Sequence, residues 1–151
     1  MLEISVIIPT RNRADLLPRV LDALRAQSLT ASRFEVIIVD DGCTDNTQEV
    51  LKKFHDLPLR VFRQNRSGIA AAKNLGIFAS RSPILLFLDD DDVADQDLLA
   101  AHVITHRRYP APSVAVLGYT DLANDIASNP LMRPLRRAAL ALVVELRESD
   151  S

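Results

Sequence analysis

Residues 4–39 read ISVIIPTRNRADLLPRVLDALRAQSLTASRFEVIIV, and this stretch decides the fold. Ile4–Ile8 and Phe34–Val39 are rich in β-branched residues and almost wholly apolar, which is typical of strands buried on both faces. From Asp15 to Gln27, leucine and valine recur at helical spacing, and Pro18 fits only in the first turn of that helix. A strand, a helix and a second strand in this order predict a parallel pair with a right-handed crossover.

The same alternation of periods continues to about residue 118. We predict further strands over Leu59–Phe62, Ile84–Leu88 and Val114–Leu117, and further helices from Asp45, over Ile69–Ala79, over Asp95–Arg107 and over Leu135–Leu146. Gln48 is expected to cap the helix that starts at Asp45. Ala71, Leu75 and Phe78 are expected to form the apolar side of the helix over Ile69–Ala79. The predicted fold class is therefore α/β, with a Rossmann-like, parallel-stranded central sheet and helices on both faces.

Composition limits the classes of function. The net charge of -2 is unlike the basic surface that binds nucleic acid, and the chain has no Trp to stack on bases. The single Cys43 rules out an internal disulfide and a cysteine-based zinc site. The start, MLEISVIIP, is unlike a signal peptide, and no segment approaches the ~20 apolar residues that span a bilayer. We expect a soluble cytoplasmic protein whose membrane contact is at most peripheral, with homo-oligomers as an open alternative.

Polar residues follow four of the predicted strands at the point where each strand ends. They are Pro9, Thr10 and Arg11 after the first strand, Asp40 and Asp41 after the second, Asn65 and Arg66 after the third, and Asp89–Asp92 after the fourth. Open parallel sheets bind ligands at the carboxyl ends of their strands. The sequence therefore predicts a ligand site where these groups converge.

The acidic run Asp89–Asp92 has two interpretations. A divalent cation would relieve the mutual repulsion of four carboxylates, and Mg²⁺ or Mn²⁺ takes one or two of them together with substrate phosphates. A solvated loop that caps the next helix explains the same residues. Taken alone, the run favours neither, but the acidic pair Asp40–Asp41 at a neighbouring strand end favours a site.

The other candidate residues also have two interpretations each. Asp40-Asp41-Gly42 is either a tight turn or a carboxylate that accepts hydrogen bonds from a base or ribose. Arg66 and Lys73 flank a helix N-terminus suited to phosphates, or they are ordinary solvated charges. His102 and His106 stand four residues apart on a predicted helix, but without a third ligand we interpret them as surface or core histidines. Cys43 is interpreted as a small turn residue, since no base lies near it in the sequence.

Four ordered motifs resemble those of the family 2 glycosyltransferases, whose Rossmann-like fold is called GT-A. The motifs are ISVIIPTRNR, EVIIVDDGCTDNT, NRSGIAAAKNLG and ILLFLDDDD, and together they cover the chain from Ile4 to about Gly118. The resemblance implies transfer of a sugar, usually with inversion, from a nucleotide diphosphate donor to a carbohydrate or lipid-linked acceptor hydroxyl. It also implies a divalent metal, manganese or magnesium, as a cofactor.

The resemblance implies a role for each matching residue. Pro9, Thr10 and Arg11 would line the nucleotide pocket. Asp41 would hold the base with Asp40 beside it, and Arg66 and Lys73 would lie near the ribose or the diphosphate. Asp89 and Asp91 would be the outer members of the family's Asp-x-Asp motif, with Asp91 as the direct metal ligand. Cys43 stands where the family often has Ser.

Family members are usually much longer, and their second half supplies the acceptor site and the catalytic base. We therefore expect residues 1–118 to be the nucleotide-sugar-binding half, and residues 119–151 to be an irregular tail that begins a missing half. The catalytic base stays unassigned, because Asp121, Asp125, Glu145 and Glu148 have no recognisable context. Leu140, Leu142 and Val143 are expected to be exposed apolar residues that promote self-association.

Other classes fit less well. A signalling receiver domain also gathers acidic residues around magnesium, but it needs a Lys after its last strand, where this chain has Gly118-Tyr119-Thr120. No G-x-G-x-x-G follows the first strand and no P-loop motif is present, which disfavours a dinucleotide-binding module and a P-loop enzyme. A non-catalytic nucleotide-sugar-binding remnant stays an alternative.

Overall fold

A computed structural model describes residues 1–118, Thr120 and the backbone of Val143–Glu145. The chain divides into two compact units, Met1–Val103 and Ile104–Ser151. The strands are β1 (Ile4–Thr10), β2 (Phe34–Asp41), β3 (Leu59–Gln64), β4 (Ile84–Phe87), β5 (Val114–Val116) and β6 (Val143–Glu145). The helices are α1 (Leu17–Arg25), α2 (Thr47–Leu51), α3 (Ile69–Ala79) and α4 (Leu98–Arg108). None of the helices in the described residues is long and apolar enough to cross a bilayer.

The first unit contains a four-stranded parallel sheet in the order β3-β2-β1-β4. Ile4 pairs with Phe34 on one side and with Ile84 on the other, so the three strands start level with one another. β1 and β2 are central and buried along their whole lengths. The predicted parallel α/β fold is confirmed.

Helices pack on both faces of this sheet, as predicted. Alternate residues of the central strands, including Val6, Ile8 and Val36, contribute to a core that also contains apolar residues of α1, α2 and α4. The residues between them, Ile37 and Val39, pack with Ala72 of α3 on the opposite face. Successive side chains of a strand point to opposite faces, so the two cores divide the same strands between them.

The start of α2 differs from the prediction. The helix begins at Thr47, and Gln48 does not cap it but donates a 2.6 Å hydrogen bond to Asp40. Asp45 instead accepts hydrogen bonds from the backbone N–H and the hydroxyl of Thr47. An aspartate that binds the backbone two residues further on forms an Asx turn, which competes with a helix start.

The buried side of α3 also differs from the prediction. Ala72 and Gly76 are buried, whereas Phe78 is 87% exposed. A Cβ atom on Gly76 would lie 2.3 Å from Cγ2 of Ile7, so the helix approaches β1 along its smallest residues. The side of α3 that is buried is therefore the one whose small residues let the two backbones approach closely. It is not the side with the largest apolar side chains.

The second unit contains an antiparallel pair of short strands, β5 and β6. The strand predicted over Val114–Leu117 is present over Val114–Val116, but it pairs with β6 and not with the parallel sheet. The helix predicted over Leu135–Leu146 is wrong at Val143–Glu145, where adjacent β-branched valines favour a strand. The rest of that predicted helix lies outside the described residues. The predicted division of function at residue 118 stays a prediction.

Candidate functional site

The parallel strands of the first unit end at one edge of the sheet, here called the carboxyl edge. Thr10 ends β1 and pairs with Asp40, while Asp41 ends β2 and pairs with Gln64 of β3. β4 leads directly into residues 89–92, here called the acidic loop. The predicted convergence of polar residues at strand ends is therefore present in the fold.

A hydrogen bond joins β1 to the acidic loop. The Thr10 hydroxyl donates to Oδ2 of Asp90 at 2.8 Å, and Thr10 itself is only 3% exposed. Burial raises the pKa of Asp90, the Thr10 bond and the charge of Arg13 oppose this rise, and the neighbouring Asp91 adds to it. The loop thus has a half-buried carboxylate that is held by the end of a strand.

The other members of the acidic loop are less enclosed. The carboxylates of Asp89 and Asp91 belong to exposed residues, and Lys73 lies 3.9 Å from Asp89 across a solvated ion pair. Burial raises the pKa of Asp92, and the charges of Asp89 and Asp91 raise it further. The carboxylates of this loop thus lie close enough together for their charges to act on one another.

Asp41 is held by the start of α3. Its Oδ1 accepts hydrogen bonds from the Gln64 side chain and the Ser67 backbone, both at 2.7 Å, and its Oδ2 accepts one from the Gly68 backbone at 3.0 Å. The bonds from Gln64 and Ser67 lower the pKa of Asp41, burial opposes this less strongly, and the Gly68 bond and the charge of Arg11 lower it further. The side chain is ionised at neutral pH and lies at the carboxyl edge.

Asp40 points to the opposite face of β2 and is fully buried. It accepts 2.6 Å hydrogen bonds from the Cys43 backbone and from the Gln48 side chain, and Arg63 lies 3.7 Å away. Burial raises the pKa of Asp40, but the hydrogen bonds and the charge of Arg63 outweigh this effect and leave the pKa lowered. Both oxygens of Asp40 are thus used inside the protein.

The remaining predicted site residues surround Asp41 and the end of β1. Gly42 has a φ of 75°, and a Cβ atom there would lie 3.0 Å from the backbone nitrogen of Arg66. The Asp41–Gly42 turn and the loop that contains Arg66 are therefore in close contact. Arg66 and Arg11 are exposed, whereas Pro9 is buried within β1 opposite Val39.

The structure agrees with the interpretation of Cys43 as a turn residue and of His102 as a core histidine. Cys43 is 4% exposed, its sulfur accepts a hydrogen bond from the Asn12 backbone, and burial raises the pKa of its thiol, so it is a structural residue of the turn. His102 is buried on α4. Among the described residues, no three or more His, Cys, Asp or Glu side chains are grouped to hold a metal on their own.

Two residues of the site have no role of their own in the sequence prediction. Asp90 was left between the two assigned carboxylates, although its side chain is the one that Thr10 binds. The predicted third strand ends at Phe62, whereas β3 continues to Gln64, whose side chain donates to Asp41. The alternation of β3 was a usable signal, because Phe62 and Gln64 share the face on which α3 packs.

Comparison with known proteins identifies the family. The sequence pattern described as Glycosyl transferase family 2 matches residues 5–137. Validoxylamine A glucosyltransferase of Streptomyces hygroscopicus is 40% identical over 122 residues, which cover 76% of this chain and 28% of that protein.

Two solved structures share the fold. A crystal structure of Staphylococcus aureus TarS in complex with UDP superposes with a TM-score of 0.75 at 25% identity, covering 82% of this chain and 37% of that chain. The mannosyltransferase PcManGT of Pyrobaculum calidifontis, in complex with GDP-Man and Mn²⁺, superposes with a TM-score of 0.71 at 28% identity, covering 80% of this chain and 36% of that chain. The matched part of the chain thus covers 28% of the validoxylamine A glucosyltransferase and 18% of TarS, and well under half of each crystallised chain. On the match over most of its length, the chain belongs to glycosyl transferase family 2.

Proposed function

We propose that this chain binds the nucleotide diphosphate part of a sugar donor at the carboxyl edge, as the donor-binding portion of an enzyme that transfers the sugar to an acceptor hydroxyl. The observation that carries the proposal is the pair of anionic groups at this edge. Asp41 is fixed by the start of α3, and the acidic loop is fixed to Thr10. The relatives support it, because TarS is described with UDP and PcManGT with GDP-Man and Mn²⁺.

Asp41 is the proposed contact to the nucleobase of the donor. An ionised carboxylate at the end of a strand accepts a base N–H, and Pro9, Thr10 and Arg11 lie at the end of the adjacent strand. Arg66 and Lys73 are the proposed contacts to the ribose or diphosphate, since both are cations close to the N-terminus of α3. Asp40 supports the turn that carries Asp41, because its own oxygens already accept hydrogen bonds from Cys43 and Gln48.

The acidic loop fits a hard divalent cation. Its donors are carboxylate oxygens, which Mg²⁺ and Mn²⁺ prefer, and such ions take one or two of them together with substrate phosphates. Asp91, with Asp89, would hold the ion, since both are exposed carboxylates of this loop. When bound, the ion supplies Lewis-acid stabilisation of the charge on a leaving diphosphate.

Transfer of the sugar also needs a general base, a group that takes the proton of the acceptor hydroxyl from within about 2.6–3.2 Å. The carboxylates at the end of β2 and in the acidic loop are already engaged: Asp40 and Asp41 by hydrogen bonds, Asp90 by Thr10, Asp92 by the Asp89 backbone, and Asp89 and Asp91 by the proposed ion. Asp121, Asp125 and Glu148 lie outside the described residues, and of Glu145 only the backbone is described. We therefore expect this chain to bind donor and to turn it over slowly or not at all.

Titration calorimetry with UDP, GDP and dTDP, in manganese and in EDTA, tests donor binding. At least one nucleotide should bind, and it should bind more tightly in manganese. Sugar release from the corresponding nucleotide sugars, with and without simple acceptors, tests turnover. Failure of every nucleotide to bind would refute the proposed function, whereas rapid acceptor-dependent transfer would refute only the expectation of slow turnover.

A further inference from the structure

The hydrogen bonds to Asp41 leave little of its carboxylate free. An ionised carboxylate offers about four lone-pair sites, two on each oxygen. Gln64 and Ser67 occupy Oδ1, and Gly68 occupies one site on Oδ2. Within the described part of the chain, one acceptor site of Asp41 therefore stays open, and it lies on Oδ2.

The bases differ in how many donors they bring to such a carboxylate. Guanine presents two adjacent donors, its ring N1–H and its N2 amino group, and full pairing needs an open site on each oxygen. Uracil and thymine are imides that present a single N–H between two carbonyl groups. One open site on Oδ2 satisfies an imide base and leaves a donor of guanine unpaired.

Gln64 is the residue that closes the other oxygen. Only the amide nitrogen of Gln64 can face a carboxylate at 2.7 Å, because its carbonyl oxygen would be repelled there. The Ser67 and Gly68 bonds come from backbone N–H groups and do not use the side chain of either residue. Among the hydrogen bonds that the described residues donate to Asp41, the Gln64 bond alone comes from a side chain.

We infer that Gln64 is a specificity-determining residue that makes this site select an imide nucleotide, carrying uracil or thymine, over a guanine nucleotide. The inference rests on the proposed function and refines its substrate class. The compared structures do not decide the base, since one is described with UDP and another with GDP-Man.

Calorimetric titration of the purified chain with UDP, dTDP and GDP in manganese tests the inference. UDP and dTDP should each bind at least about tenfold more tightly than GDP, because an unpaired buried donor is costly. Gln64→Leu opens a site on Oδ1 and should reduce that preference at least about threefold. The matched control is Gln96→Leu, the same change at an exposed glutamine beyond the acidic loop, and it should leave the preference unchanged.

Two results would overturn the inference while leaving the proposed function standing: equal affinity of the unmodified chain for GDP and UDP, or an unchanged preference in Gln64→Leu. Binding of none of the nucleotides would instead refute the proposed function itself. Thermal unfolding checks that each variant is folded. If Gln64→Leu is not folded, Gln64→Met takes its place. The preference of the unmodified chain for UDP over GDP tests the inference without any variant.

Discussion

The Thr10 hydroxyl donates a 2.8 Å hydrogen bond to Oδ2 of Asp90, 80 positions further along the chain. The bond joins the end of a central strand to the loop that follows the edge strand β4. Because Thr10 is almost fully buried and part of a rigid sheet, it gives the acidic loop a fixed position beside the carboxyl edge.

Replacement of Thr10 by Val keeps the shape of the side chain and removes the hydroxyl. We expect Thr10→Val to lower the free energy of unfolding by about 1–3 kcal/mol, because Asp90 loses the donor to its partly buried carboxylate. The affinity for UDP in manganese should fall about tenfold, since the loop is less well placed. Chemical denaturation and calorimetry measure both effects. Thr10→Ser keeps the hydroxyl and serves as control, and equal behaviour of the Val variant and the unmodified chain would contradict this role.

Asp91 is predicted to carry the dependence on metal. Asp91→Ala should bind UDP equally in manganese and in EDTA, because the ion loses its direct protein ligand. Asp97→Ala removes an exposed aspartate beyond the acidic loop and should keep the dependence on manganese. Calorimetry on the two variants decides. If manganese raises the affinity of Asp91→Ala for UDP as much as it does for the unmodified chain, the metal is held by other ligands.

A buried network at the opposite edge of the sheet is predicted to stabilise the fold. Glu35 is 3% exposed and accepts hydrogen bonds from the Ser5 hydroxyl at 2.7 Å, the Arg81 backbone at 2.8 Å and the Arg60 guanidinium at 2.9 Å. Glu35→Gln should lower the free energy of unfolding by about 2–3 kcal/mol, because Arg60 loses its charged partner. The control is Glu49→Gln, whose partner Lys52 is exposed and which should cost below about 0.5 kcal/mol. Equal losses in the two variants would contradict the network's role.

The contribution of Glu35 is predicted to depend on pH. Burial raises the pKa of Glu35, but the hydrogen bonds from Ser5, Arg60 and Arg81 outweigh it and leave the pKa below its ordinary value of 4.5. A carboxylate with a lowered pKa in the folded state stabilises the protein above its unfolded-state pKa and loses this effect as the pH falls through the folded-state value. The difference in unfolding free energy between the unmodified chain and Glu35→Gln should be full above about pH 5 and shrink as the pH falls below the ordinary value of 4.5. A difference that stays constant over this range would refute the assignment.

Gly76 is predicted to be required for the packing of α3 on β1. A Cβ atom there would lie 2.3 Å from Cγ2 of Ile7. Gly76→Ala should therefore destabilise the protein by about 1–3 kcal/mol, although alanine is the better helix former by about 1 kcal/mol. Asn74→Ala, at an exposed position of the same helix, is the control and should leave stability unchanged or slightly higher. A stabilising effect of Gly76→Ala in denaturation experiments would show that the helix can shift without cost.

The sequence predicted the architecture well where burial dominates. β1 and β2 are runs of β-branched residues that only central strands of a parallel sheet bury fully, and the predicted bounds of α3 match those observed. The apolar side of α3 was predicted correctly at Leu75 and wrongly at Phe78, because Phe78 has more apolar surface than Gly76 but cannot approach β1 as closely. The spacing of apolar residues along the sequence does not show where two backbones approach this closely.

The edge of the sheet at which the site lies could be predicted from the sequence, but the contacts between its side chains could not. Strand ends place Thr10, Asp41 and the acidic loop at one edge, and the topology alone implies this. Which side chains bind one another depends on the face of each strand. Asp40 and Asp41 are adjacent in sequence but point to opposite faces, so only Asp41 contacts the start of α3.

The most direct test of donor binding at the carboxyl edge is the broadening of backbone amide NMR signals by manganese in the presence of UDP. The ion relaxes nearby protons, so the signals of residues 89–92 and of Thr10 should lose intensity first. Those of Ser5 and Ser82, at the opposite end of the sheet, should persist, and removal of manganese by EDTA should restore the lost signals. Loss of intensity centred on Ser5 and Ser82, or no localised loss with UDP and manganese together, would contradict the assignment of the site to this edge.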